Sequence, residues 1–140
     1  MNRYCLSVFL VALAVLGVVL GAPEKSFEEN LAILRKINLD EVLPNDRLVK
    51  SFVDCMCGTK TCTHEGTALK ATWKQLLDNR CKEKCTEEDK TKVKQVIKHL
   101  YVKHRNWWDE LAAQLDKDEE YRNKYKKQLE AIVNDDSIKV

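Results

Sequence analysis

The chain has 140 residues, the length of a single domain, and carries 24 basic against 22 acidic residues. That near balance excludes a dedicated nucleic-acid binder, which would show a net basic face. Two prolines and four glycines among abundant Lys, Glu, Leu and Ala exclude a sheet-dominated fold and favour helices.

Residues 1–20 hold one charge, Arg3, followed by the apolar run Leu6–Leu20 and the small residues Gly21 and Ala22. This is the pattern of a secretory signal peptide. The apolar run is shorter than the ~20 residues a membrane span needs, so no stable membrane anchor is expected. Cleavage after Gly21 or Ala22 both fit, and Gly21 is preferred because Pro23 would directly follow the later cut. The expected organisation is a signal peptide at 1–21, a helical domain at 22–133 and a disordered tail at 134–140. Secretion sets an oxidising environment, in which cysteines pair.

Ser26-Phe-Glu-Glu29 resembles a capping box, with Phe27, Leu31 and Leu34 following at helical spacing, so a short helix is predicted over 27–36. Asn38 opens a further turn of helix that Pro44 stops. Asn45 starts the next helix, whose face is Leu48, Val49, Phe52, Val53 and Met56, and Gly58 ends it. Thr63 caps a helix with Leu69, Trp73, Leu76 and Leu77 on one face. Thr86-Glu-Glu-Asp89 opens the best-patterned helix, its acidic first turn suiting the positive end of the helix dipole. Its face runs through Val93, Val96, Ile97, Leu100, Tyr101 and His104, while His99 falls off that face and is expected in solvent. Arg105–Leu115 carries Trp107, Trp108, Leu111, Ala112 and Leu115. Asp116 is read as the cap of one last helix bearing Tyr121, Tyr125, Leu129 and Ile132. Short connections make this a compact all-α bundle of five to seven helices.

Five of the six cysteines lie between Cys55 and Cys85, and Cys5 falls in the expected signal peptide. Close cysteines flank a helical run, which suggests two local staples at its ends. Loops this small contribute about 2–2.5 kcal/mol each by closure entropy. One thiol is left over after pairing. Cys55, Cys57, Cys62 and His64 could also offer zinc a three-sulfur, one-nitrogen set, but their spacing matches no zinc motif, and secretion favours disulfides. No nucleophile elbow, metalloprotease helix or phosphate-cradling glycine loop is present, so neither an enzyme nor a cofactor is expected. The apolar stripes admit two readings. Periodicity alone favours a solid core over a pocket in which Trp, Tyr, Met and Phe converge on an apolar ligand.

Asn38-Leu-Asp-Glu-Val-Leu43, Asn45-Asp-Arg-Leu-Val-Lys-Ser-Phe-Val-Asp-Cys55 and Cys62-Thr closely resemble the insect chemosensory proteins. So do Cys85-Thr-Glu87, Val96-Ile-Lys98, Trp108-x-Glu-Leu111 and Tyr121-Arg-x-Lys-Tyr125. The similarity covers roughly residues 31–130. It implies a small secreted protein of about six helices around an apolar channel, with disulfides Cys55–Cys62 and Cys81–Cys85. The implied function is non-covalent carriage of long-chain apolar ligands, such as semiochemicals, fatty acids or their derivatives. The alternative is a secreted developmental or defence factor that acts by protein contact. The channel walls implied by the resemblance are Leu39, Val42, Leu43, Leu48, Phe52, Met56, Trp73, Leu76, Val96, Ile97, Leu100, Trp108 and Tyr121. A monomer is expected, with a Cys57-linked dimer as the variant form.

Three positions depart from the family pattern. Cys81 and Cys85 stand three residues apart where the family has two, so the backbone there is expected to bend for the pair to close. Cys57 is an added thiol that could pair with Cys62, stay buried and reduced, or bridge two molecules. Phe52 stands where many members carry Tyr, removing a hydroxyl that could hold a ligand's head group.

Overall fold

The structure, a computed structural model, describes residues 24–140; the expected signal peptide lies outside them. Its helices are α1 Phe27–Arg35, α2 Leu39–Val42, α3 Asp46–Cys57, α4 His64–Leu77, α5 Asn79–Lys84, α6 Glu87–Lys103, α7 Arg105–Leu115, α8 Glu120–Lys124 and α9 Lys126–Asn134. Six of these, α1, α3, α4, α6, α7 and α9, have nine residues or more; the other three are short turns. Among the described residues there is no strand.

Local chemistry sets the helix starts. The side chains of Ser26, Asn38, Asn45, Thr63 and Thr86 each accept a hydrogen bond from a first-turn N–H, at 3.1–3.3 Å. Thr86 is one half of a complete capping box, because the Asp89 carboxylate accepts the Thr86 N–H at 2.8 Å. Gly58 closes α3 at φ 80°, a left-handed conformation that glycine adopts without a Cβ penalty.

The extensive helix pairings run in sequence round the molecule. α1 packs on α4, α4 on α3, α3 on α7 and α7 on α6, while α9 lies against α6. Arg35 at the end of α1 completes the circuit by donating to both carboxylate oxygens of Asp89 on α6, at 3.1, 3.2 and 2.7 Å. The main buried cluster joins Leu43, Val49, Val53, Cys57 and Leu100, with Leu39, Val42, Val96, Trp107, Trp108 and Leu111 packed against it. α1 buries Phe27, Asn30 and Leu31, and α4, its main packing partner, buries Gly66, Ala68 and Thr72.

The two disulfides are Cys55–Cys62 and Cys81–Cys85, with Cα–Cα distances of 4.8 and 4.7 Å. The four-residue pair closes because Cys85 leaves the helix: it caps α5 in an extended conformation, φ −82° and ψ 139°. Cys57 takes part in neither bridge and is buried in the main cluster. Cys55 and Cys62 are therefore occupied by each other, which removes two of the four candidate zinc ligands.

The Cys55–Cys62 bridge also explains a small residue in α4. A Cβ on Gly66 would stand 2.9 Å from the Cys55 sulfur and 3.3 Å from the Thr63 hydroxyl. Both neighbours are fixed, one by the bridge and one by its capping bond. Gly66→Ala is accordingly expected to destabilise by about 1–3 kcal/mol despite alanine's better helix propensity. Urea unfolding checks this, and a stabilised variant would show that the α3–α4 corner yields.

Four expectations need correcting. His99 is not in solvent: it is buried, 6% exposed, because α6 is covered on that side as well as on its apolar stripe. The tail after Asn134 is not disordered. Ile138 is buried, and the buried Lys98 ammonium donates to the Asp135 and Ile138 carbonyls at 2.7 and 3.0 Å. The last helix is two segments, broken at Tyr125. Asp116 does cap, but across a turn: its carboxylate accepts the N–H groups of Tyr121 and Arg122, at 3.0 Å each, while Glu119 at φ 58° makes the corner.

Candidate ligand-binding interior

Helix geometry brings six of the thirteen predicted wall residues into one place. Leu39, Val42, Leu43, Val96, Leu100 and Trp108 all belong to the main cluster or pack on it. Trp73 on α4 and Tyr121 on α8 meet separately, with ring centroids 5.3 Å apart. Met56, Leu76 and Ile97 are half-buried on α3, α4 and α6. Phe52 and Leu48 line, with Val42, a groove of about 240 Å³ bounded by the α1–α2 turn, α3 and the start of α4. Leu48 is 41% exposed, so it stands at the groove's outer edge rather than in an interior wall.

The burial pattern is unusual for a helical domain. Of the eight aromatic residues among those described, only Phe27 is buried; Phe52, Trp73, Tyr101, Trp107, Trp108, Tyr121 and Tyr125 are all partly exposed. On α4 the small residues are buried and Leu69, Trp73, Leu76 and Leu77 are not. Large apolar side chains are the ones a solid core would close over first. On α4, then, small residues are packed while large ones are left partly accessible.

A polar clamp lies beside the Trp73–Tyr121 pair. Asp78, between α4 and α5, accepts hydrogen bonds from the hydroxyls of Tyr121 and Tyr125, at 3.2 and 2.5 Å, and from the Lys124 ammonium at 3.3 Å. The Tyr125 hydroxyl leads in holding that carboxyl below its usual range, with burial opposing and Lys124 and Tyr121 assisting. Both phenols are pushed up, first by burial and then by the carboxylate. The cluster is thus charge-fixed at neutral pH and ties the end of α4 to α8 and α9. It positions; it offers no activated nucleophile.

At the other end, His104 stacks on Trp107 at 3.9 Å and its Nε2 lies 3.1 Å from the Asp46 carboxylate. Tyr101 meets Trp108 edge-on at 5.5 Å, and Arg105 covers Tyr101 at 3.8 Å. His104 therefore packs at the helix end, as its place on the α6 face predicts. Trp107 and Leu111 pack on the same cluster as six of the predicted wall residues. Their signal was the shared four-residue spacing on α7.

The class defined by this fold is a small, disulfide-stapled helical binding protein. Residues 33–123 match the insect pheromone-binding family, A10/OS-D, and the chain belongs to that family. It is 32% identical over 127 residues to Allergen Tha p 1 of Thaumetopoea pityocampa, covering 91% of this chain and 98% of that one. It is 33% identical over 122 residues to Ejaculatory bulb-specific protein 3 of Drosophila melanogaster, covering 87% and 94%. Among solved structures it is similar to a chemosensory protein in complex with bromo-dodecanol. That similarity has a TM-score of 0.57 and 32% identity over 75% of this chain and 99% of the other. It is also similar to the antennal chemosensory protein A6 of the moth Mamestra brassicae, with a TM-score of 0.55 and 35% identity over 74% and 97%. The family and the fold are those of carriers, not of enzymes.

Proposed function

We propose that the chain is a secreted, monomeric carrier that holds one long-chain apolar ligand, non-covalently, in the space its helices encircle. The observation that carries this reading is the inverted burial of α4, where Leu69, Trp73, Leu76 and Leu77 stay partly accessible while Gly66, Ala68 and Thr72 are buried. The circuit of neighbouring helix pairs supports it, as does the bromo-dodecanol bound by a structural relative. The thirteen predicted wall residues are the proposed contacts, with Leu48 at the rim. Residues 1–21 are the proposed signal peptide.

The energetics are adequate. A C12–C18 chain gains ~0.8 kcal/mol per buried CH₂, roughly 9–14 kcal/mol before the cost of association, which is compatible with micromolar binding. In the test, a fluorescent apolar probe is titrated into the pure protein. The probe is expected to bind at micromolar concentration, to quench tryptophan emission, and to be displaced by C12–C18 alcohols, acids or esters. Trp73→Phe and Trp108→Phe should each reduce the quench. No displacement by any of these chains would sink the proposal.

A further inference from the structure

Residues 135–140 are held to the body by very little. Ile138 is the one buried residue among them; the other five are exposed. The second attachment is Lys98 of α6, whose ammonium donates to the Asp135 and Ile138 carbonyls. Lys98 is itself buried, and lysine is rarely so without a carboxylate partner. Among the described residues no carboxylate lies within ion-pair distance of it, and the Asp135 carboxylate acts on it only from farther away. Two neutral carbonyls thus hold a buried cation, and water can replace both once the segment lifts. The net worth of such a contact is small, because the hydrogen bonds are exchanged rather than lost.

The segment is also built to move as a unit. The Asp135 carboxylate accepts the Ser137 N–H at 3.0 Å and its hydroxyl at 2.6 Å, and the Ile138 N–H donates to the Asp135 carbonyl at 3.2 Å. This closed turn aims the two carbonyls at one ammonium. None of its internal bonds needs Lys98, so the turn survives release. A segment with one apolar anchor and exposed neighbours belongs to the low-stability end of a fold.

What lies beneath gives the motion a consequence. A cavity of about 470 Å³ sits between α2 with the turn after it, α6, and residues 139 and 140. Leu39 and Leu43 line it on one side, and Lys139 and Val140 on the other. Leu43 belongs to the main buried cluster and Leu39 packs on it, whereas Val140 is 44% exposed. Lifting residues 135–140 therefore removes the solvent side of a cavity whose inner side is the cluster.

We propose that residues 135–140 are a strap over one entrance to the ligand space, with Lys98 as its catch and Ile138 as its anchor. Ligand enters and leaves while the strap is lifted. This rests on the carrier reading and adds a gate and a route to it.

A gate that is closed in both the free and the loaded protein scales entry and exit by the same factor. The test follows association and dissociation of the fluorescent apolar probe by stopped flow, in the full chain and in its Lys98→Met and Ile138→Ser variants. Lys98→Met keeps the length of the side chain but has no donor, and should raise both rates about tenfold with Kd unchanged. Ile138→Ser should do the same without any change inside α6. Amide hydrogen exchange supplies a second readout. The Ile138 N–H should exchange faster in Lys98→Met by a similar factor, while that of Val53 in the core keeps its protection. Unchanged rates in both variants would overturn the strap, as would a faster exit with no faster entry, which is plain loss of affinity. Faster exchange at Ile138 with unchanged probe rates would show a loose segment that gates nothing. A native protein that does not bind the probe would overturn the carrier reading, and the gate with it; binding with unchanged rates would overturn the gate alone.

Discussion

Replacing Cys62 and Cys85 together with serine is expected to lower the unfolding free energy by about 4–5 kcal/mol, the largest effect predicted for any surface-neutral change in this chain. Each bridge closes a short loop, of separation 7 and 4, and removes about 2–2.5 kcal/mol of closure entropy from the unfolded chain. The two act at different points, one at the α3–α4 corner and one where α5 gives way to the α6 cap, so their effects should add. Against the ~5–15 kcal/mol of a typical small domain, that loss leaves little margin. A domain whose large side chains are incompletely packed has fewer contacts to compensate with. Denaturant unfolding of the two single variants and the double variant measures this. A double variant no weaker than its worse single parent would show that the staples are not independent. Cys57 adds a check: it lies in the buried cluster two residues from Cys55, so Cys62→Ser should be made in a Cys57→Ala background to prevent re-pairing.

What could be read in the sequence and what could not divide along range of interaction. Five helix starts were legible because each depends on one side chain and an N–H two or three residues away, as at Asn45 and Thr86. The end of α3 was legible because Gly58 alone supplies the left-handed residue. The break at Tyr125 was not: the hydroxyls of Tyr121 and Tyr125 reach Asp78, 43 and 47 residues earlier. His99 read as solvent-facing because the segment after Asn134, which lies beside it, was expected to be disordered. That segment's one apolar anchor, Ile138, was the available signal. The wall residues were named by resemblance, and helical periodicity could not separate a packed stripe from one facing space. What the structure adds is which residues of α4 are buried, Ala68 and Thr72 rather than Trp73 and Leu76.

Asp89→Asn is the second large effect expected, and it carries a pH signature. Asp89 is 6% exposed, accepts from Arg35 through both oxygens, and returns the capping bond to the Thr86 N–H. The Arg35 guanidinium leads in holding its carboxyl down at about 2, against burial and with help from Thr86. A carboxyl whose folded pKa is depressed stabilises the fold above its unfolded pKa, near 3.8, and that stabilisation is lost as pH falls through about 2. The depression corresponds to about 2 kcal/mol. At neutral pH the asparagine variant should therefore be weaker by about 2–3 kcal/mol, and the gap should narrow below about pH 4 as the native carboxylate is protonated. Arg35→Gln should cost less, about 1–2 kcal/mol, because Arg35 is 43% exposed and Asp89 keeps its capping bonds. Unfolding curves at several pH values test this, and parallel curves for native and Asp89→Asn would rule out the pair as the cause. The consequence reaches function, since this pair is the contact joining α6 back to α1. If the encircled space holds the ligand, Asp89→Asn should weaken apolar-probe binding even where the variant is fully folded, while a change confined to the outer face of α9 should not.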